Sequence, residues 1–401
     1  VNREGRLPLK REGPKETHYL DYAATSAVRP PQVAEAVFKF MTEVGATPGR
    51  GGHHLALEAG RVALKCRKAV ARILGVSGDP GRIAFSLNAT QGLNTALAGT
   101  LGPGDAVVTT PYDHNSVLRP VHRLVQNRGV RSRMIPGDAS GALDLDQARS
   151  QMEGARLLVV NAVSNVLGTP LPLRELAALA HEAGALVLVD AAQWAGHFTG
   201  SLEEAGADLI AFTGHKGLLG PQGIGGIWVR DGVDLDPFFA GGTGGSANLR
   251  DMPSAFPDRL EAGSGNSPGM AGLAAGIAFL EEKGIEALHR REQELKAILW
   301  EGLGALSGVR VLSPRAPEGV GIVTIVADSM DPGVLSQRLD REWGVMVRHG
   351  LNCAPEVHRL LGTEEKGAVR FSLGWASTLQ DVEAAVRGVD ALTAPPLHFV
   401  S

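Results

Sequence analysis

The sequence predicts an α/β protein: a large domain on a mainly parallel sheet flanked by helices, then a smaller α+β domain. Three observations predict it. Between residues 82 and 230, short apolar runs alternate with segments of helical periodicity, the pattern of a wound parallel sheet. Polar and glycine-rich clusters recur where the apolar runs end, and ligands of such sheets bind beyond the carboxyl ends of the strands. After a glycine-rich loop at 241–265 the order changes to paired helices followed by strands. That change places a boundary near residue 275 and domains at 19–275 and 276–401.

Bulk properties narrow the function. At 401 residues the chain can hold a large domain and a smaller one. Hydrophobic residues make up 44% and charged residues 20%, the balance of a globular protein with a sizeable core. The net charge of -4 gives no electrostatic reason to expect nucleic acid or an anionic membrane as partner. Cys66 and Cys353 are the only cysteines, which excludes a disulfide framework and a cysteine-rich metal site but leaves room for one reactive thiol. The first residues lack the apolar core of a signal peptide, and no apolar run reaches membrane-spanning length, so a cytoplasmic protein is expected.

The elements follow in order. Residues 1–18 are polar and are expected to pack on the smaller domain or to be disordered. Tyr19-Leu20-Asp21-Tyr22-Ala23-Ala24-Thr25-Ser26 reads as a short strand running into a turn of small residues. Pro30-Pro31 opens a helix to about Met41, since proline suits a first helical turn. The loop at 45–54 is too rich in glycine to be regular. Residues 55–74 then place Leu57, Val62, Leu64, Val70 and Ile73 at helical spacing and stop at Gly75. Cys66 within this helix reads as a small core residue. Strands are expected at 82–86, 106–110, 156–160, 186–190, 208–212 and 226–230, with helices at 90–101, 116–127, 145–152 and 173–183. The second domain reads as helices at 269–283, 285–306, 332–342 and 379–392, with strands at 309–312, 321–326, 345–348 and 368–373. The charges of 281–296 read as a solvated helix face.

Residues 209–226, LIAFTGHKGLLGPQGIGG, carry the most chemistry. A buried strand stops at Thr213-Gly214, and His215-Lys216 face a glycine-rich loop. A lysine there is desolvated, which lowers its pKa, and a neutral amine is what condensation with an aldehyde cofactor requires. A surface lysine in a flexible loop is the plainer alternative. Asp190 closes the run Leu186-Val187-Leu188-Val189. It could cap the next helix or, beside such a lysine, hold the ring nitrogen of pyridoxal phosphate cationic as an electron sink. Asn88-Ala89-Thr90 begins a helix whose free N–H groups and Thr90 hydroxyl suit a phosphate, or simply cap that helix.

His114 follows another strand and could stack on a cofactor ring or be a surface polar residue. Asn165, also after a strand, has a turn-forming role as its alternative. Arg370 and Ser372 alternate with apolar residues and should share one strand face. Arg370 is then a surface charge or a bidentate clamp for a substrate carboxylate. Cys353 lies between a strand and a helix, either inert or a thiolate nucleophile near cationic groups. Other chemistries lack their signatures. There is no GxxxxGK[ST], and Gly241-Gly242-Thr243-Gly244-Gly245 lacks the strand and helix of a dinucleotide site. His53-His54 and His358 lack metal-ligand spacing, and no serine nucleophile elbow is present.

With these residues assembled, the chain resembles the class V aminotransferase family of fold-type I pyridoxal-phosphate enzymes. It is most similar to the cysteine desulfurases and selenocysteine lyases with a compact cysteine loop. The resemblance runs from about Tyr19 to Leu392, through YLDYAATS, GRGGHHLA, NATQGLN, DHNSVLRP, VSNVLGT, VDAAQ, FTGHKGLLGPQGIGG, RLEAGSGN, VRHGLNCAP and VRFSLG in family order. It implies that Lys216 holds pyridoxal 5'-phosphate covalently, with Asp190 at the ring nitrogen, Gln193 at the phenolic oxygen and His114 stacked on the ring. Ala89 through its backbone, Thr90, Thr213 and His215 would hold the phosphate. Ser264 would donate a hydroxyl to the neighbouring subunit's phosphate, which implies a homodimer. Asn165 and Arg370 would bind the substrate amino acid, and Cys353 would accept sulfur. Tyr22 stands where the family commonly has asparagine, Ala89 where it has another small or hydroxyl residue, Ser264 where it has threonine, and Asn352 where it often has histidine. The last departure bears on rate and substrate choice.

The resulting expectation is desulfuration of L-cysteine to L-alanine, with sulfur held on Cys353 as a persulfide and passed to a thiol or an acceptor protein. Selenocysteine lyase is the nearest rival. Transamination or β-elimination on another amino acid is a wider one, because fold does not determine function. A non-catalytic sulfur-transfer scaffold is the rival from another class, and it has no use for Lys216, Asp190 and Arg370.

Overall fold

The computed structural model describes residues 17–49, 51–245, 248–315 and 318–394. The expectations for residues 1–16, and for Arg50 in its loop, lie outside them. The chain runs through β1 (His18–Tyr19), α1 (Pro31–Lys39), which continues as a π turn at Phe40–Val44, α2 (His54–Leu74), β2 (Ile83–Ser86), α3 (Ala89–Thr100) and β3 (Ala106–Thr109). Next come α4 (Asn115–Arg128), β4 (Arg131–Met134), α5 (Leu145–Met152), β5 (Leu157–Asn161), α6 (Leu173–Glu182), β6 (Leu186–Asp190), β7 (Leu209–Thr213) and β8 (Gly225–Val229). The remainder is α7 (Ser267–Lys283), α8 (Ile285–Gly304), β9 (Val309–Val311), β10 (Ile322–Ala327), α9 (Pro332–Trp343), β11 (Val345–Met346), β12 (Arg348–Gly350), α10 (Pro355–Leu360), β13 (Ala368–Ser372) and α11 (Leu379–Thr393).

The large sheet has the order β2-β8-β7-β6-β5-β3-β4. Only β8 runs against its neighbours, so the sheet is mainly parallel, as expected. Its central strands are apolar runs because both faces are covered. Val108, Leu158, Val160, Val187, Val189, Ile210 and Phe212 enter one buried cluster. Their neighbours Val107, Leu157, Val159, Leu188, Leu209 and Ala211 enter another on the opposite face. In β8, a Cβ on Gly225 would lie 2.7 Å from the Asn88 Cα, so only glycine lets this strand press against the start of α3.

A four-stranded sheet, β12-β13-β10-β9, packs with α8, α9 and α11 around a third cluster that includes Leu299, Leu339, Phe371 and Val389. The structure differs from the sequence reading at four places. β4 was not expected, because Arg131-Ser132-Arg133-Met134 is polar; it pairs with β3 alone at the sheet edge, where no apolar cover is required. The strand opening at Tyr19 pairs with β11, apart from the large sheet. The expected boundary near 275 falls within α7, whose Met270, Leu273, Ile277 and Leu280 belong to the first cluster. The expected strand at 345–348 divides into β11, paired with β1, and β12, paired with β13. Among the described residues, no helix is long and apolar enough to cross a membrane.

Candidate active site

The carboxyl ends of the parallel strands open into one cleft of about 200 Å³. β2 and α3 contribute Asn88, Ala89 and Thr90; β3 and α4 contribute His114 and Ser116. β5 supplies Asn161, Val163 and Asn165, β6 supplies Asp190, Ala192 and Gln193, and β7 supplies Thr213, His215 and Lys216. Residues as far apart in sequence as Asn88 and Lys216 meet here because sheet topology aligns strand ends. The sequence-predicted residues Ala89, Thr90, His114, Asn165, Asp190, Gln193, Thr213, His215 and Lys216 are therefore brought together.

Burial sets the electrostatics. Desolvation pushes the Lys216 ammonium down to about 8, against the pull of Asp190 and with help from Arg370. Burial also raises the Asp190 carboxyl, opposed by the Ala192 N–H at 2.9 Å and by Lys216. A cationic ring nitrogen beside this carboxylate would supply the counter-charge that burial withholds. His114 is pushed down to about 4 by burial and by Lys216, Arg370 and Arg119, so its ring is neutral at pH 7. Its Nδ1 accepts from the Ser116 N–H at 3.0 Å as the cap of α4, which places the ring proton on Nε2. His215 is also held down near 4 by burial and Lys216.

The donor set fits pyridoxal phosphate. Thr213 Oγ1 is buried without a hydrogen-bond partner among the described residues. It faces the cleft beside Thr90, near the N–H groups at the start of α3, where an anion is favoured. Asn161 Oδ1 is likewise unpartnered and lines the cleft.

The substrate side is built from other elements. Arg370 on β13 is buried, donates to the Asn165 carbonyl at 3.0 Å and pairs with Asp21 Oδ1 at 3.2 Å. Its Nε has no hydrogen-bond partner among the described residues. Asp21 also holds Arg348 at 2.8 Å. Ser372 accepts from the Ala23 N–H at 3.0 Å. Cys353 is exposed, in a short loop where Asn352 and Cys353 both have left-handed backbone, φ +46° and +57°. Asn165 Nδ2 donates to the Asn352 carbonyl at 2.7 Å, and the Asn115 N–H donates to the Cys353 carbonyl at 2.7 Å. The thiol loop is thereby docked on the start of α4, beside His114. Cys66 is buried and its thiol pushed up to about 12, the inert role expected of it. Ser264 is exposed and does not line the cleft of its own chain.

Sequence reading missed the clasp around the lysine loop. Ser26 Oγ donates to the Lys216 carbonyl at 2.9 Å, Thr25 Oγ1 to the His215 carbonyl at 3.2 Å, and Arg29 Nε to the Gly220 carbonyl at 2.9 Å. Gln193 Nε2 donates to the Ala23 carbonyl at 2.9 Å. It also missed Asp113, fully buried and pushed up to about 7 by desolvation although it accepts from the Thr110 and Asn161 N–H groups at 2.7 and 3.0 Å. Small polar residues in a turn carry no periodic signal, so only the tertiary contact identifies them.

Comparison with known proteins places relatives beside this geometry. The family model for class-V aminotransferases matches residues 18–385. A probable cysteine desulfurase of Pyrococcus abyssi is 36% identical, over 92% of each chain. A cysteine desulfurase of Haloferax volcanii is 32% identical over 93% of this chain and 88% of its own. Among solved structures, the apo cysteine desulfurase of Thermococcus onnurineus superposes with a TM-score of 0.87 at 35% identity, covering 94% of each chain. A cysteine desulfurase of Escherichia coli gives 0.83 at 26% identity, covering 93% of this chain and 94% of that one.

Proposed function

Because the chain belongs to the class-V aminotransferase family, we propose that it is a pyridoxal-phosphate-dependent cysteine desulfurase, converting L-cysteine to L-alanine. The observation that carries this reading is an exposed thiol, Cys353, docked at the mouth of the cleft that holds Lys216. A transaminase needs the lysine and has no use for the thiol.

Pyridoxal phosphate, when bound, supplies an electron sink for negative charge at the substrate Cα. Lys216 would hold it, with Asp190 serving its ring nitrogen, Gln193 its phenolic oxygen and neutral His114 its ring. Thr90, Thr213, His215 and the Ala89 N–H would take its phosphate. Arg370 and Asn165 orient the substrate carboxylate, and the unpartnered Arg370 Nε is one donor ready for it. Released when the substrate amine takes its place, the neutral Lys216 amine takes the Cα proton. The Cys353 thiolate then attacks the substrate sulfur: the S–S bond forms, the Cβ–S bond breaks, and its electron pair stays with the three-carbon fragment. Protonation of that fragment gives alanine and leaves a persulfide on Cys353. The exposure of Cys353 leaves it open to a thiol or an acceptor protein.

The functional unit in this reading is a homodimer. Ser264 is exposed and does not line its own cleft, and Phe38, Met41, Leu57 and Leu64 are exposed apolar residues on α1, its π turn and α2. The deciding experiment measures alanine from L-cysteine with a reducing thiol. Cys353→Ala is expected to lower alanine formation by about 10²-fold or more, and retention of full activity would sink the reading.

A further inference from the structure

Outside the cleft, buried charge concentrates between α8 and the segment that follows β6. Glu292 on α8 is 6% exposed, and its Oε2 lies 3.0 Å from His197 Nδ1. Its Oε1 accepts from the Gly321 N–H. These two contacts lead to opposite sides of the active site.

His197 continues the segment that carries Asp190 and Gln193. Its ring lies against the backbone next to Lys216: a Cβ on Gly217 would come within 2.7 Å of the imidazole, so only glycine fits. On the other side, Gly321 leads into β10, whose Thr324 is the register partner of Arg370. Val320, just before it, donates its N–H to the Gly168 carbonyl at 2.9 Å, in the loop that carries Asn165. A cavity of about 20 Å³ beside the pair is bounded in part by Tyr22, Ser26, Gly217 and Trp375.

An apolar filling would stabilise such a junction as well as an ion pair does, so the charges call for another use. Each partner supports the other's ionised form. Glu292 raises His197 against its burial, and His197 lowers Glu292 against its own. Among the described residues, the other titratable groups facing them are His289 and Lys296 from α8, both pushed down by burial, Tyr22, and Lys216, which repels the His197 proton.

We propose that His197 and Glu292 are a positioning pair for the reaction, tying the lysine loop and the Arg370 strand to a single carboxylate. The pair rests on the reading of Lys216 as the cofactor lysine. It holds the two halves of the site at constant spacing, and a proton on His197 behind the lysine loop and one on Lys216 disfavour each other.

The test is a pH titration of the absorbance of holoprotein with the cofactor bound at Lys216. His197→Gln is expected to raise the midpoint by about one pH unit, because a nearby positive charge is removed. Glu292→Gln added to His197→Gln should move the midpoint by less than it does in the unaltered protein, the non-additivity of a coupled pair. An unmoved midpoint in His197→Gln, with only a lower Tm, would reduce the pair to packing and overturn the proposal. If the variants do not fold, the unaltered holoprotein decides by NMR of labelled histidines. The His197 ring is expected to hold its proton to a higher pH than an ordinary histidine, and a ring that loses it at a lower pH would overturn the proposal. Failure of the desulfurase reading is seen separately, as absence of alanine with this titration intact.

Discussion

The floor and the mouth of the cleft solve opposite problems. On the floor, Asp190 and Thr213 are buried at the ends of central strands, and desolvation moves Lys216 and His114 well below their ordinary pKa values. At the mouth, Cys353 is exposed, held through backbone carbonyls rather than by side-chain burial. The difference teaches where precision comes from. Burial tunes proton affinity but closes off access, so groups that hold a cofactor belong on the floor. A thiol that must receive sulfur and give it away needs access, and its position is set by its loop conformation.

Substitutions on the two sides should therefore behave differently. The largest effect is expected on the floor. Lys216→Ala should lower alanine formation by about 10³-fold or more while Tm barely falls, since it removes the group that moves the Cα proton. The pH response of the same lysine sharpens the contrast. Capture of an aldehyde by cofactor-free protein should be half-maximal near pH 8 rather than near the 10.5 of an ordinary lysine. Because the folded-state pKa is depressed, the unfolded chain binds more protons between these values. This lysine's contribution to stability is therefore least favourable below about pH 8 and improves as pH rises to 10.5. Lys216→Met should remove that slope from denaturation curves.

Thr213→Val deletes the unpartnered hydroxyl, and the cofactor dissociation constant should rise about tenfold, the worth of one hydrogen bond to a charged group. An unchanged constant, read by fluorescence titration, would remove Thr213 from the phosphate site. The smallest effect belongs to the mouth. Asn352→Gly relieves left-handed backbone at φ +46° but loses the Asn352 Nδ2 contact to the Gly350 carbonyl at 3.2 Å. Global stability should change by less than about 1 kcal/mol, while sulfur release from Cys353 changes with the loosened loop. A large loss of stability would show the mouth to be as tightly built as the floor.

How much of this was legible in the sequence follows from the physics of each part. Buried parallel strands are continuous apolar runs, so β5, β6 and β7 could be read directly, and the residues after them were natural candidates for the site. Lys216, Asp190 and Asn165 stood out because an ionisable or polar group after such a run needs a reason to be there. Polar edge strand β4 could not be read, because an edge strand has no obligatory pattern.

The sequence by itself determined the periodicity, hence the elements, the parallel sheet and which residues lie at its strand ends. Tertiary structure alone decided which of those ends share a cleft, that Ser26 clasps the Lys216 carbonyl, that Asp21 reaches both Arg370 and Arg348, and that Glu292 meets His197 across 95 residues. Local patterns record what each segment must bury. Contacts between segments distant in sequence depend on how the layers stack, and a charge on an apparently solvated helix face such as 281–296 becomes a buried partner only when another element covers it.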